Sequence, residues 1–194
     1  AKIMITGRID VIYNRVTSSL TLTQDVWNHV IVKSNGSSWD IVVNGVNDNS
    51  IANTTGTNTG DWLGDMSVAS DNLIIGLLRR SDSDYNLLTS YVDEVSVFNY
   101  PTTDAQDVIL YNNGTPQDIT SLNPVDYWKV EEGSGTTTVN ETGDISFQFG
   151  DGSTPTTYPT WSTDTPGWDS GDDGQDKGYK ECPKFPSRPK FPTR

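Results

Sequence analysis

The chain has 194 residues, enough for one sizeable domain with appendages, and Thr, Ser, Asn, Asp and Gly dominate the two thirds that are not hydrophobic. Its formal charge of -13 is divided unevenly: residues 1–176 carry 7 Lys and Arg against 25 Asp and Glu (-18), and residues 177–194 carry 6 against 1 (+5). So acidic a body repels phosphate backbones and is not expected to bind nucleic acid; no apolar run is long enough to insert in a membrane, and one cysteine permits no internal disulfide.

Short Val/Ile runs separated by turn residues every eight to twelve positions or so predict an all-β chain, as in a sandwich. Strands are expected over Lys2–Ile5, Ile9–Tyr13 and Ser19–Leu22, and then over Val26–Lys33 and Trp39–Asn44. In Val26–Lys33 parity puts Trp27, His29, Ile31 and Lys33 on one face and Val26, Asn28, Val30 and Val32 on the other, and in the return strand Trp39, Ile41 and Val43 opposite Asp40, Val42 and Asn44. Ser34–Ser38 reads as a four- to five-residue hairpin loop with Gly36 at positive φ, and Asn44-Gly45 as a second turn. The chain's single histidine, His29, has no second histidine to share a metal and no evident nucleophile to serve, so it reads as structural.

A polar stretch from Asn47 to Asp71 reads as a long loop whose one large aromatic is Trp62; strands are then expected over Leu73–Leu78 and Ser90–Phe98. After Pro101, Thr103-Asp104-Ala105-Gln106 has the form of a capping box, opening a short helix with an apolar stripe of Ala105, Val108 and Ile109. So short a helix must dock that stripe on the sheet to persist, and Gly114 is its natural terminator. Val125–Val130 and Ile145–Phe149 are further strands, with Thr136–Val139 an additional candidate. From Gly167 the composition becomes an acidic Gly/Asp linker and then a tandem repeat, PKFPSR-PKFPTR, which precludes helix or central strand and predicts an extended, polyproline-like tail. Ordered, such a tail must be held by a partner. The opening at Ala1, directly in strand-like sequence, is expected of a processed product or of part of a longer polypeptide, and the four N-x-[ST] sequons are as expected by chance in so Asn/Thr-rich a chain.

The order of several motifs carries a resemblance: Trp27-x-His29-Val30, Val43-Asn44-Gly45, Ile74-Ile75-Gly76, and Val92-Asp93-Glu94-Val95-Ser96-Val97 leading into a helix that ends Tyr111-Asn112-Asn113-Gly114. In that order they resemble the C-terminal half of a laminin-G-like domain of the concanavalin A-like jelly-roll class. The segment YWKVEEGSGTTTVNETG, with Trp161 and Asp164-Thr165-Pro166, is similar to the segment C-terminal to such domains in structural proteins of bacteriophages, notably marine ones. The resemblance covers about residues 1–166 and implies a jelly-roll sandwich, incomplete or completed by a neighbour, with one short helix and an extended C-terminal tail. The expected division is a laminin-G-like portion over 1–115, an additional β segment over 116–166, and the linker and tail over 167–194. The family's N-terminal strands are missing upstream of Lys2, so something must cover the exposed sheet edges.

The same class includes glycoside hydrolases, whose alternating acids face one sugar. Here Asp93-Glu94 and Glu131-Glu132 are adjacent in sequence, and adjacent strand residues point to opposite faces, so catalysis is not expected. Asp93 shares parity with Tyr91, Val95 and Val97 and is expected to pin the loop from Arg79 to Thr89. Calcium is the cofactor the resemblance implies, with Asp82 and Asp84 its candidate ligands. A glycan site would draw on Asp61, Trp62, Asp82, Asp84, Tyr85 and Asn86, loop residues that place an aromatic platform beside acids and amides. The partner-binding tail would use Lys184, Phe185, Arg188, Lys190, Phe191 and Arg194. The expected function is that of a non-catalytic structural or adhesion module of a virion, in contact with other virion subunits. The alternative is a lectin-like module for host surface polysaccharide.

Overall fold

In the computed structural model the described residues are 1–9, 12–60, 78–80, 83–85, 90–143, 146–148, 160–162 and 182–184. They form antiparallel strands with one short α-helix, and the chain divides into two compact units, residues 1–70 with 98–122 and residues 71–97 with 123–194. An all-β fold is therefore observed.

The first unit contains two three-stranded sheets. In one, β1 (Lys2–Ile9) and β2 (Ile12–Thr21) form a long hairpin, and β6 (Ala52–Thr55) pairs with the other edge of β2. The two short strands predicted from Ile9 to Leu22 are thus one continuous strand, and the polar stretch after Asn47 contributes a strand of its own. Neither could be read from hydrophobic alternation, because β6 is ANTT, exposed throughout, and is held by its ladder to β2.

The second sheet is β3 (Val30–Ser34), β4 (Trp39–Val43) and β5 (Val46–Asn47), in that order. Ser34 pairs with Trp39 across a four-residue loop in which Asn35 Oδ1 accepts from the N–H groups of Ser37 and Ser38, and Gly36 has φ 83°. Asn44 and Gly45, with φ 50° and 74°, make a two-residue turn with both central residues left-handed, the geometry that matches strand twist. A side chain at Gly45 would meet the Tyr111 ring at 2.7 Å, so the turn needs glycine for space as well as for φ.

Residues 26–29 are not strand, contrary to expectation. Asn28 folds back onto the backbone of Thr23 and Val26, and Asn44 Oδ1 accepts from the His29 N–H at 2.8 Å. The face assignment survives except at Asn28, expected on the Val26 side but partly covered. Trp27, His29, Ile31 and Lys33 are partly covered, and Val26, Val30 and Val32 are exposed.

Central strand β4 is buried on both faces, with Ile41 and Val43 pointing one way and Val42 the other. β2 touches β4, and its Val16 and Ser18 are fully buried, so the two sheets pack face to face in a sandwich-like arrangement. Polar side chains close the gaps that ladders leave. The Asn58 side-chain amide bonds both the N–H and the C=O of Trp39, where β4 extends beyond β5. Buried Asp48 accepts from the Ser19 N–H (2.6 Å), the Ser19 hydroxyl (2.5 Å), the Leu20 N–H (3.2 Å) and the Ser50 N–H (3.1 Å).

Helix α1 (Asp104–Tyr111) starts as its sequence predicts, with the Thr103 hydroxyl accepting from the Gln106 N–H and the Gln106 side chain accepting from the Thr103 N–H. Its left-handed end begins at Asn112 (φ 40°), two residues before Gly114. The expected docking face is reversed: Ala105, Val108 and Ile109 are exposed, and Asp107 is buried.

In the second unit, β9 (Val95–Val97) pairs with β10 (Asp126–Trp128), and Val95, Val97 and Trp161 pack around Trp128 and Val130. The strand predicted over Ser90–Phe98 shrinks to three residues because Glu94 sits at φ 52°, which breaks the alternation before Val95. Three further antiparallel pairs complete the described strands: β7 (Leu78–Arg80) with β8 (Ser83–Tyr85), β11 (Thr137–Thr138) with β12 (Phe147–Gln148), and β13 (Thr160–Ser162) with β14 (Cys182–Lys184). The last pair ties the start of the proline-rich tail to the chain's own backbone. The strand expected over Leu73–Leu78 lies, apart from Leu78, outside the described residues.

Candidate functional site

In the first unit the chemistry-bearing side chains gather between α1 and the Val42 face of the second sheet. Lys33 reaches off β3 and donates to Asp107 Oδ2 at 2.6 Å and to the Thr102 carbonyl at 3.2 Å. The Thr102 hydroxyl donates to the other Asp107 oxygen at 2.5 Å. With side chains only 8% and 4% exposed, Lys33 and Asp107 are a buried, fully bonded ion pair, and this pair explains the reversed helix. An acid can be buried where a cation meets it inside, so the pairing permits Asp107 to face inward.

His29 stacks at a tilt on Tyr111 with ring centroids 5.8 Å apart. Burial pushes its pKa below the ordinary value, and the nearby Asp107 charge opposes that shift. Its Nδ1 is buried without a hydrogen-bond partner, and the one acid acting on it already serves Lys33 and Thr102. Among the described residues this nitrogen has no oriented partner of the kind general-base work requires. Beside this cluster lies a cleft of about 190 Å³ lined by Val42, Gly45, Asn47, Asp104, Asp107 and Val108.

In the second unit the acids that sequence reasoning paired are re-sorted. Glu132 accepts from the Thr138 hydroxyl (2.7 Å) and the Val139 N–H (2.6 Å). Asp93 accepts from the Glu94 N–H at 3.1 Å; the loop it was expected to pin lies largely outside the described residues. Glu94 accepts a hydrogen bond from the hydroxyl of fully buried Tyr127. Two left-handed non-glycine residues, Glu94 and Val130 (φ 58°), flank the same end of the β9–β10 ladder, and Glu94 there feels the charges of Asp93 and Glu131. Burial, with those two acids, raises its pKa to about 7 against the pull of the Tyr127 hydrogen bond and the Lys129 charge. The objection from strand parity thus fails locally, because Asp93 and Glu94 are not in a strand.

The raised pKa has a testable consequence. Because the folded carboxyl holds its proton more tightly than the unfolded one, the contribution is fully favourable below the ordinary value of 4.5, declines up to about pH 7, and is constant above. Glu94→Gln is expected to remove this decline and to stabilise the chain at pH 8 by on the order of 1–2 kcal/mol, allowing for screening at the carboxyl's exposed edge. Urea midpoints at pH 5 and pH 8 check it. Equal pH dependence in both proteins would refute the burial of this carboxyl.

Among the residues expected to bind glycan, Asp61, Trp62, Asp82 and Asn86 lie outside the described residues. Asp84 and Tyr85 belong to β8, opposite Arg79 and Leu78. Of the tail residues, Lys184 lies in β14 opposite Thr160, and Phe185, Arg188, Lys190, Phe191 and Arg194 lie outside the described residues. Among the described residues no group of His, Cys, Asp and Glu has the arrangement to hold a metal ion, and no helix is long and apolar enough to cross a membrane. No known family, curated protein or solved structure matches the chain.

Proposed function

We propose that the chain is a non-catalytic structural or adhesion module of a virion that works through protein–protein contacts, and that its two-sheet unit is part of a laminin-G-like, concanavalin A-like jelly roll. The surface of that unit supports the contact reading. Val30 and Val32 on β3, Val46 on β5, and Val108 and Ile109 on α1 are exposed, whereas its buried charges, Lys33 and Asp107, satisfy one another. Among the described residues β3 is also a sheet edge, with backbone groups on its outer side open to another strand. The laminin-G-like assignment rests on the motif order around Val92–Val97 and Tyr111–Gly114, and the virion assignment on the segment YWKVEEGSGTTTVNETG with Trp161 and Asp164-Thr165-Pro166.

Sedimentation of the full chain over two decades of concentration tests this. Self-association weakened by Val32→Asp is the expected result. A chain that remains monomeric throughout and is retained on an immobilised polysaccharide would favour the lectin reading instead.

A further inference from the structure

Helix α1 turns Ala105, Val108 and Ile109 away from its own unit, with Val108 62% and Ile109 44% exposed beside exposed Ala105. Val108 also lines the cleft with Val42 and Gly45, and the exposed acid of the rim is Asp104, whose side chain is 89% exposed; Asp107, also in the lining, is bound to Lys33. An apolar seat with an acidic rim fits an apolar side chain carried close to a cation.

The sequence contains such a segment. Pro183, Pro186, Pro189 and Pro192 recur at every third position, the period of a polyproline helix. That period would align Phe185, Arg188, Phe191 and Arg194 along one edge, alternating ring and guanidinium. Successive members of the edge would stand about 9 Å apart, and Asp104 and Val108 stand about 6 Å apart along α1, so one ring at Val108 leaves the next arginine within reach of Asp104. The charges are complementary as well, +5 over residues 177–194 against -18 over residues 1–176. Pairing of Cys182–Lys184 with Thr160–Ser162 anchors the base of this segment immediately before Phe185.

We propose that the outer face of α1 and its cleft form the docking site for the Phe/Arg edge of the C-terminal repeat of a second copy of this chain. The inference rests on the assembly reading given above. Each copy then carries one donor tail and one acceptor helix, so the contact is head-to-tail and closes into a ring or extends as a filament.

The test uses the full chain with its own tail silenced by Phe185→Ala and Phe191→Ala, titrated with the peptide PKFPSRPKFPTR. Methyl resonances of Val42, Val108 and Ile109 are expected to shift. Affinity is expected to fall about tenfold or more with Val108→Asp, and likewise with a peptide whose phenylalanines are replaced by alanine. Val108 is exposed, so the variant should keep its fold, which circular dichroism verifies. Absence of binding, or binding indifferent to Val108→Asp, overturns the proposal. If the wild-type chain self-associates equally well with Val108→Asp, the docking site is wrong and the assembly reading stands. A wild-type chain that is monomeric at all concentrations overturns both.

Discussion

Lys33→Met is expected to lower the stability of the two-sheet unit by about 3–5 kcal/mol, the usual cost of leaving one member of a buried ion pair uncompensated. The partner left behind is Asp107, whose carboxylate would keep only the Thr102 hydroxyl. Asp104, 3.6 Å from the ammonium but almost fully exposed, adds little to the pair. Lys33→Met combined with Asp107→Leu is expected to recover most of the loss, since removing both charges also removes both desolvation costs. Urea denaturation followed by tryptophan fluorescence reads both variants. A single-variant loss under about 1 kcal/mol would mean that water reaches the pair and that α1 is held in some other way.

Asp48→Ala comes second, with an expected loss of about 3 kcal/mol, because three backbone N–H groups and one hydroxyl lose a common acceptor inside the unit. The same carboxylate makes stability depend on acid. Burial by itself would raise its pKa, but the bond from the Ser19 hydroxyl and those from the N–H groups of Ser50, Leu20 and Ser19 outweigh it and hold the pKa below the ordinary value. The ionised form is therefore favoured by folding. Its contribution is present above the ordinary value of 3.8 and is lost as the pH falls through the lower, folded value. Asp48→Asn is expected to be destabilised at pH 7 and to lose this acid-dependent component. An acid-unfolding curve parallel to that of the wild type would contradict the role given to Asp48.

The candidate sites were legible in the sequence to different degrees. The expectation that His29 is structural came from its isolation in the sequence, which has no second histidine to share a metal. Glu94 could not be found that way. Its environment comes from Tyr127 and Glu131, more than thirty residues on, and from a left-handed backbone that no hydrophobic pattern signals. Asp48 and Asn58 were likewise invisible, since each acts as a surrogate for a missing strand and does so only where the ladders stop.

Local rules are complete within a few residues, and there the sequence alone was sufficient. The Ser34–Trp39 hairpin, the Asn44-Gly45 turn and the Thr103/Gln106 capping box each depend on neighbours along the chain, and each forms where its residues say. Only the tertiary structure decided which side of α1 faces inward. Its apolar stripe points to docking, but Lys33, seventy-four residues away, provides a buried partner for Asp107 and turns the helix over. A carboxylate can be buried only where the fold brings partners to it, so Asp107 faces inward because Lys33 is there, with Tyr111 packed on His29 beside it, and the stripe is left facing solvent.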